Sequence, residues 1–333
     1  MTTTIPNTMK AVRFHKTGAS SSVLKLENNI PTPTPKPTEV LIKLHYAGVN
    51  FIDTYQRSGL YPISLPAVSG REGAGTIIQI GSDSTHHGFK VGDSVAAFCQ
   101  GTMAEYVAAP ATAVVKLPQS ISTKTGAAVL LQGLTAWTLV KDAHAVERGQ
   151  VVLVQAAAGG TGGLLVQMAK YLGAVVIGTV STSGKAAIAK GLGADHVIIY
   201  KEQDVLAEVM RLTEGKGVHA VFSGIGQATF TADLAATRRK GTLVSYGNSS
   251  GPVTGLSVLE LSKKNVKLVR PTLANYIAEP EEFEERTGQL LSLVADGIVT
   301  VPLGGEYGLD GVGAAQDDLT AQRTTGKLVV KIA

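Results

Sequence analysis

The stretch Val151-Val-Leu-Val-Gln-Ala-Ala-Ala-Gly-Gly-Thr-Gly-Gly163 decides the fold. Its four leading apolar residues predict a buried strand, and Ala156-x-x-Gly159-x-x-Gly162 then turns the chain into an amphipathic helix. Glycines let the backbone turn tightly and approach a pyrophosphate closely, and the helix start offers free N–H groups and a positive dipole end. The turn therefore predicts a dinucleotide site. The weaker alternative is a tight turn that serves packing alone. The predicted site residues are Ala158, Gly159, Gly160, Thr161 and Gly162.

The residues after this turn indicate which dinucleotide binds. A site for NAD places Asp or Glu about 20 residues on, at the end of the second strand, where it holds the ribose hydroxyls. Here no acidic residue occurs between Glu147 and Asp195. Ser181, Thr182 and Lys185 stand where a 2′-phosphate would lie, and the lysine can neutralise it. The pattern favours NADPH; a solvated lysine at a helix start is the alternative for Lys185.

Strands and helices alternate after residue 150, which predicts a parallel, doubly wound sheet because each crossover helix returns the chain to the same sheet edge. The predicted strands are Val151–Val154, Val175–Thr179, His196–Ile199, His219–Phe222, Thr242–Tyr246 and Val266–Val269. The predicted helices are Lys124–Leu131, Leu134–Ala143, Gly160–Tyr171, Gly184–Lys190, Asp204–Leu212, Gln227–Arg238 and Pro280–Ala295.

The first third of the chain is instead rich in short strands separated by Gly, Pro and Asp, which predicts a compact, partly barrel-like β unit. A length of 333 residues suggests two domains, so the fold class is α/β with a mostly-β partner. The predicted strands of the β unit are Lys10–Phe14, Val40–Tyr46, Gly75–Ile80, Ser94–Ala97, Glu105–Ala108 and Val114–Lys116. A last strand is predicted at Lys327–Ile332, after the alternating region.

Composition narrows the class of protein. Net charge is +4, and the densest basic run is Arg238-Arg239-Lys240, which is short for a nucleic-acid binder. The single cysteine, Cys99, excludes an intrachain disulfide and a four-cysteine zinc site. His86-His87 have no cysteine nearby, so no metal site is expected there. Glycines interrupt the most apolar region, residues 151–178, and the N-terminus shows no signal peptide, so we expect a cytoplasmic protein outside the membrane.

Several stretches in fixed order resemble the zinc-free, zeta-crystallin-like quinone oxidoreductases of the medium-chain dehydrogenase/reductase superfamily. They are Gly48–Tyr61, Gly70-Arg-Glu-Gly-Ala-Gly75, Gln132-Gly-Leu-Thr135, Ala156–Gly162, Ser245–Gly251 and Val269-Arg-Pro-Thr272. The resemblance implies a GroES-like catalytic domain at residues 1–133 and 270–333, around a Rossmann NADPH-binding domain at residues 134–269. It also implies a homodimer or homotetramer.

The resemblance also implies the site residues. Asn50, Tyr55, Tyr61 and Arg270 would line the catalytic pocket, and no metal is expected because Asn50 and Arg71 replace the Cys and His ligands of zinc-dependent relatives. Hydrogen-bond donors must then polarise the substrate. Further cofactor contacts are expected from Gln132, Thr135, Gly224, Tyr246 and Asn248, and from Lys185, Tyr200 and Arg323 around the 2′-phosphate.

Three functions stay open at this point. The first is reduction of quinones by NADPH without metal or flavin, and since family members can yield semiquinones, one- and two-electron reduction are both open. The second is NADPH-dependent reduction of enones or alkenals, which the same Tyr and Asn donors would serve. The third is an RNA-binding role, as in some zeta-crystallin relatives, with the basic run Arg238–Lys240 as its only local support. No Tyr is followed four residues later by Lys, so the catalytic pair of short-chain dehydrogenases is missing.

Overall fold

The computed structural model describes residues 5–333, except for the side chains of residues 85–87, so the expectation about His86 and His87 lies outside the described residues. The chain forms two compact units. The first runs up to Gln132 and includes Glu279–Ala295 and Val301–Ala333; the second comprises Gly133–Ala278 and Asp296–Thr300. The domain boundaries expected from the family resemblance, residues 1–133 with 270–333 and residues 134–269, stay a prediction.

The strands, in chain order, are β1 (Thr8–Phe14), β2 (Lys25–Pro31), β3 (Glu39–Val49), β4 (Ala67–Val68), β5 (Gly73–Ile80), β6 (Ser94–Ala97), β7 (Tyr106–Pro110), β8 (Val114–Lys116), β9 (Val151–Val154), β10 (Val175–Val180), β11 (His196–Ile199), β12 (Val218–Ser223), β13 (Thr237–Ser245), β14 (Lys267–Val269), β15 (Leu303–Tyr307) and β16 (Lys327–Lys331). The helices are α1 (Ser20–Val23), α2 (Phe51–Ser58), α3 (Thr123–Thr138), α4 (Gly160–Tyr171), α5 (Ser183–Gly191), α6 (Val205–Leu212), α7 (Phe230–Ala236), α8 (Leu259–Ser262), α9 (Leu273–Tyr276), α10 (Pro280–Ala295) and α11 (Val312–Thr320).

The first unit is built around the long strand β3. Its alternating apolar residues Val40, Ile42 and Leu44 are buried in one cluster with residues of β5, β6 and β7, as expected for a strand with one face in a core. A seven-stranded sheet follows the order β15-β16-β3-β5-β6-β8, and β7 also pairs with β3. A smaller sheet has the order β2-β1-β4. In the sheet register, the end of β3 lies beside the starts of β5 and β16.

The second unit is a six-stranded parallel sheet in the order β11-β10-β9-β12-β13-β14. Its strands are almost continuously apolar because helices cover both faces, and Leu153, Ile177 and Val221 are fully buried in its core. The strand order reverses direction between β9 and β12, and ligands of such sheets bind at the carboxyl ends of strands beside this reversal. The glycine-rich turn follows β9 at that point.

Three sequence expectations about local structure are wrong. The two helical stretches before residue 143 form one helix, α3, followed by a π-helical turn at Leu139–Ala143, because the apolar helix continues through Gly133. The helix expected at Gln227–Arg238 ends at Ala236, where the Thr237 hydroxyl donates to the Asp233 carbonyl oxygen. The basic run Arg238–Lys240 therefore lies in β13 and not at a helix end. Within residues 5–333, no helix is both long and apolar enough to cross a bilayer.

Candidate active site

A buried cluster of charged and amide side chains forms where β3 ends and β5 and β16 begin. Asn50 follows β3, Glu72 precedes β5 and Lys327 opens β16; the Glu72 and Lys327 side chains are fully buried. Lys327 Nζ donates to Glu72 Oε1 at 2.5 Å and to Asn50 Oδ1 at 2.7 Å. Asn50 Nδ2 donates to the same Glu72 oxygen at 2.7 Å. Removing one partner of such a buried ion pair leaves an unpaired buried charge and destabilises the folded protein by about 3–5 kcal/mol.

Helix α3 completes this cluster. The backbone N–H of Leu131 donates to Glu72 Oε2 at 2.6 Å, and Gln132 Nε2 donates to Asn50 Oδ1 at 3.1 Å. Gly48 makes the close packing possible, because a Cβ there would stand 2.3 Å from Glu72 Oε1. The structure thus brings together Asn50 and Gln132, two residues expected at the site from the sequence. Glu72 and Lys327 were not expected there, because nothing in the sequence links two residues so far apart in the chain.

Helix α2, which carries Tyr55, starts at the same place. Asp53 in its first turn accepts the Asn50 backbone N–H at 2.8 Å. Burial raises the pKa of the Asp53 carboxyl to about 7, against the lowering effects of that hydrogen bond and of the Lys327 charge. The second oxygen, Oδ1, is buried without a hydrogen-bond partner among the described residues. A carboxyl with this pKa changes its protonation state near neutral pH.

Tyr55 and Tyr61 lie next to each other, as expected if both line one pocket. Their ring centroids are 5.2 Å apart with the planes tilted by 60°, and the Tyr61 backbone N–H donates to the Tyr55 carbonyl oxygen. Both residues are half-buried. Their role toward a substrate stays a prediction.

The two positions that hold zinc ligands in zinc-dependent relatives have other partners here. Asn50 is engaged by Lys327, Glu72 and Gln132, and the Arg71 guanidinium lies 5.0 Å from the centroid of the Phe98 ring. Within the described part of the chain, no group of three or more His, Cys, Asp or Glu is placed to hold a metal ion.

The glycine-rich turn in the second unit has the shape that a pyrophosphate requires. Ala156 adopts the left-handed conformation with φ 54°, and Gly159 directly precedes α4. A Cβ at Gly162 would stand 2.2 Å from the Ala156 carbonyl oxygen, so only glycine fits there. Ala158 is buried behind the turn, and the first N–H groups of α4, at Gly160, Thr161 and Gly162, have no carbonyl one turn earlier inside the helix. The residues therefore fit a bound dinucleotide phosphate.

A buried polar chain supports this turn from behind, and the sequence did not indicate it. The Ala156 N–H donates to Thr179 Oγ1, which donates to Gln155 Oε1 at 2.5 Å. Gln155 Nε2 in turn donates to Asp233 Oδ1 at 2.6 Å. Burial raises the pKa of the Asp233 carboxyl, and the hydroxyl of Thr229 and the amide of Gln155 oppose that rise. These hydrogen bonds fix the backbone of Ala156, the residue that starts the turn.

The residues expected around a 2′-phosphate in this unit lie at the carboxyl ends of β10 and β11. Ser181 follows β10, Lys185 is in the first turn of α5, and both are half-buried. The backbone N–H of Tyr200 donates to the Val180 carbonyl oxygen at 3.0 Å, which places residue 200 beside the end of β10. The Tyr200 side chain is 43% exposed and therefore accessible to a ligand. No carboxylate follows β10 before residue 195.

The remaining expected cofactor residues of this unit lie at the neighbouring strand ends. Tyr246 follows β13, and its N–H donates to the Ser223 carbonyl oxygen. The Tyr246 ring lies against Gly224, where a Cβ would be 2.9 Å from the ring. Asn248 is buried two residues later. Thr135 is half-buried in α3.

The two arginines expected at the site lie in different units. Arg270 is exposed just after β14 in the second unit, where its Nη1 donates to the Pro271 carbonyl oxygen. Arg323 belongs to the first unit, and its guanidinium donates to Asp318 Oδ1 at 2.6 and 3.0 Å. Asp318 also accepts from the Tyr307 hydroxyl at 2.7 Å. Arg323 therefore already has an acid partner, and its contact with a phosphate stays a prediction.

Comparison with known proteins identifies the family. The model of the alcohol dehydrogenase GroES-like domain matches residues 36–119, and that of the zinc-binding dehydrogenase family matches residues 160–292. The chain is 39% identical to a probable quinone oxidoreductase of Schizosaccharomyces pombe over 96% of both chains. It is 32% identical to a 2-haloacrylate reductase of Burkholderia over 96% of this chain and 98% of that one.

A solved structure agrees. The quinone oxidoreductase of Escherichia coli in complex with NADPH superposes with a TM-score of 0.92 at 36% identity, over 97% of this chain and 99% of that one. The expected fold, a GroES-like unit with a Rossmann-type parallel sheet, is confirmed. The chain belongs to the quinone oxidoreductases of the medium-chain dehydrogenase/reductase superfamily, as the ordered sequence stretches predict.

Proposed function

We propose that this protein is an NADPH-dependent quinone oxidoreductase that uses neither metal nor flavin. The observation that carries the proposal is the pairing of the glycine-rich turn with the strand end after β10, which offers Ser181 and Lys185 and no carboxylate. The names of the related quinone oxidoreductases, one of them solved with NADPH, support the same cofactor and substrate class.

The second unit holds the cofactor in this proposal. The N–H groups at the start of α4 receive the pyrophosphate, and Gly159 and Gly162 keep side chains out of its way. Lys185 neutralises the 2′-phosphate, with Ser181 and Tyr200 beside it. Gly224, Tyr246 and Asn248 continue the cofactor surface along the strand ends. NADPH supplies the hydride when it is bound.

The first unit supplies hydrogen bonds to the quinone in this proposal. Reduction places negative charge on the quinone oxygens, and a tyrosine hydroxyl that donates to such an oxygen stabilises the transition state. Tyr55 and Tyr61 are adjacent and half-buried, which suits two donors to one ligand. Arg270 is proposed as a further donor, and Gln132 and Thr135 as contacts to the nicotinamide end. Two-electron reduction also consumes a proton, and one- and two-electron outcomes are both compatible with this set.

Reduction of an activated C=C bond is the second candidate, and the similarity to a 2-haloacrylate reductase favours it. The same tyrosine donors would hold the carbonyl oxygen of an enone. RNA binding gains no comparable support, because Arg238 in the basic run lies in β13 and contacts the His219 ring.

Steady-state oxidation of NADPH with ortho- and para-quinones, compared with alkenals and haloacrylates, tests the proposal. We expect the highest kcat/KM for a quinone and a preference for NADPH over NADH. A higher kcat/KM for an alkenal than for every quinone would replace quinone reduction by the second candidate.

The protein is proposed to act in the cytoplasm as a homodimer or homotetramer. Strand β14 forms the edge of the six-stranded sheet and, within the described residues, pairs only with β13. A second copy can continue a sheet from such an edge, and Val258 and Leu259, which are 74% and 73% exposed, lie just before it in the chain. Light scattering in solution would give the number of subunits, and a monomer would contradict this assignment.

A further inference from the structure

The carbonyl oxygen of the Gln132 side chain is buried without a hydrogen-bond partner in the described part of the structure. Gln132 is 8% exposed, and its Nε2 donates to Asn50 while its Oε1 has no donor opposite it. A buried acceptor of this kind is costly to leave unsatisfied. A ligand that brings an N–H or O–H group to this oxygen would therefore be selected over one that does not.

The orientation of the Gln132 amide follows from the buried ion pair. The Lys327 ammonium only donates, so the Asn50 atom that faces it must be the oxygen Oδ1. The Glu72 carboxylate, which pairs with that ammonium, accepts, so the Asn50 atom that faces it must be Nδ2. Both contacts agree on one orientation of the Asn50 amide.

The orientation of the Asn50 amide in turn sets the orientation of the Gln132 amide. Asn50 Oδ1 can only accept, so the Gln132 atom 3.1 Å away must be the donor Nε2. This leaves Gln132 Oε1 as the last acceptor of the hydrogen-bond series, without a donor among the described residues. The direction of every hydrogen bond in the series is thus set by two charges, not by the choice of amide orientation.

We propose that the buried pair Glu72–Lys327, acting through Asn50, fixes Gln132 as a hydrogen-bond acceptor that selects an N–H or O–H donor on the bound ligand. The inference deepens the proposed function and rests on it. Two sources of such a donor fit: the carboxamide N–H of the nicotinamide, and the hydroxyl of a reduced quinone. In this proposal Gln132 contacts the ligand, whereas Asn50, Glu72 and Lys327 act as positioning residues.

Binding measurements without turnover test the first source. Dissociation constants are measured by titration for NADP⁺ and for its acetylpyridine analogue, which has a methyl ketone in place of the carboxamide and so lacks the N–H. We expect the wild-type protein to prefer NADP⁺ by about 5-fold, the effect of one neutral hydrogen bond. Gln132→Met should bring the ratio close to one, and the exposed control Gln79→Met should keep it.

The second source is tested with NADP⁺ bound. A hydroquinone is compared with its dimethyl ether, which has the same rings and oxygens but no O–H. If the hydroxyl is the donor, the wild-type protein prefers the hydroquinone by about 5-fold, and Gln132→Met removes that preference. A Gln132→Met variant that changes neither ligand ratio overturns the proposal. Failure of the wild-type protein to bind NADP⁺ would instead overturn the proposed function.

A double variant tests the positioning role. In Glu72→Gln/Lys327→Met the new amide oxygen accepts the Leu131 N–H, so its NH₂ faces Asn50 and the Asn50 amide turns over. Gln132 then presents its NH₂ outward, and the preference for donor ligands is lost although Gln132 is unchanged. Both charges are removed together, so no unpaired buried charge is left behind. A double variant that binds NADP⁺ and keeps the wild-type ratio overturns the positioning role.

Discussion

The substitution Asp53→Asn isolates the effect of the buried carboxyl at the start of α2. Burial raises its pKa from 3.8 to about 7, so the folded protein takes up a proton that the unfolded chain releases between these values. Stability contributed by the protonated form is therefore present at low pH and is lost as the pH rises toward 7. Three pKa units correspond to about 4 kcal/mol above pH 8, of which about 2.5 kcal/mol is lost between pH 5 and pH 8.

An asparagine keeps an oxygen for the Asn50 N–H and carries no titratable proton. We expect urea unfolding at pH 5 and pH 8 to show the variant gaining about 2.5 kcal/mol relative to the wild-type protein at the higher pH. The exposed carboxylate Asp310, replaced in the same way, provides the control and should show no such gain. If the difference in unfolding free energy between Asp53→Asn and the wild-type protein does not change with pH, the Asp53 carboxyl does not have a raised pKa in the folded protein.

Three further substitutions test the proposed sites. Lys185→Ala should raise the Kd for NADPH about 10- to 100-fold and leave that for NADH nearly unchanged, with the exposed Lys190→Ala as control; equal effects on both cofactors would remove Lys185 from the 2′-phosphate. Gly162→Ala should weaken NADPH binding at least about 10-fold with unchanged circular dichroism, because its Cβ would meet the Ala156 carbonyl oxygen at 2.2 Å; wild-type affinity would mean that the turn does not hold the cofactor. Tyr55→Phe should lower kcat about 10-fold or more at constant Kd for NADPH, and an unchanged kcat would exclude the hydroxyl as a donor.

The local parts of the fold follow from the sequence because their signals are local. Helix α4 and strand β11 have the predicted bounds, since glycine and polar residues mark their ends within a few positions. Strand β15 was not predicted: it reads Leu-Gly-Gly-Glu-Tyr, without the apolar alternation of a strand, and its pairing with β16 defines it. The basic run was misjudged because the chain has already entered β13 at Thr237, which pairs with Val218 of β12; the run itself lies at the irregularity before the next pair, Thr242 with Ala220.

In the candidate site, too, the features that lie within one short stretch could be predicted and the long-range contacts could not. The glycine-rich turn and the missing acid after β10 were readable because they lie within one short stretch. The contact between Glu72 and Lys327 joins residues 255 positions apart and depends on the register of three strands. A lysine before Leu-Val-Val gives no sign in the sequence that it is fully buried. Its importance for Asn50 and Gln132 emerges only from the hydrogen bonds.

A crystal structure of the protein with NADPH bound would test the proposed cofactor site directly. We expect the pyrophosphate on the N–H groups at the start of α4 and the 2′-phosphate within hydrogen-bond distance of Lys185. A pyrophosphate bound away from the glycine-rich turn, or a 2′-phosphate in solvent with Lys185 turned elsewhere, would contradict it.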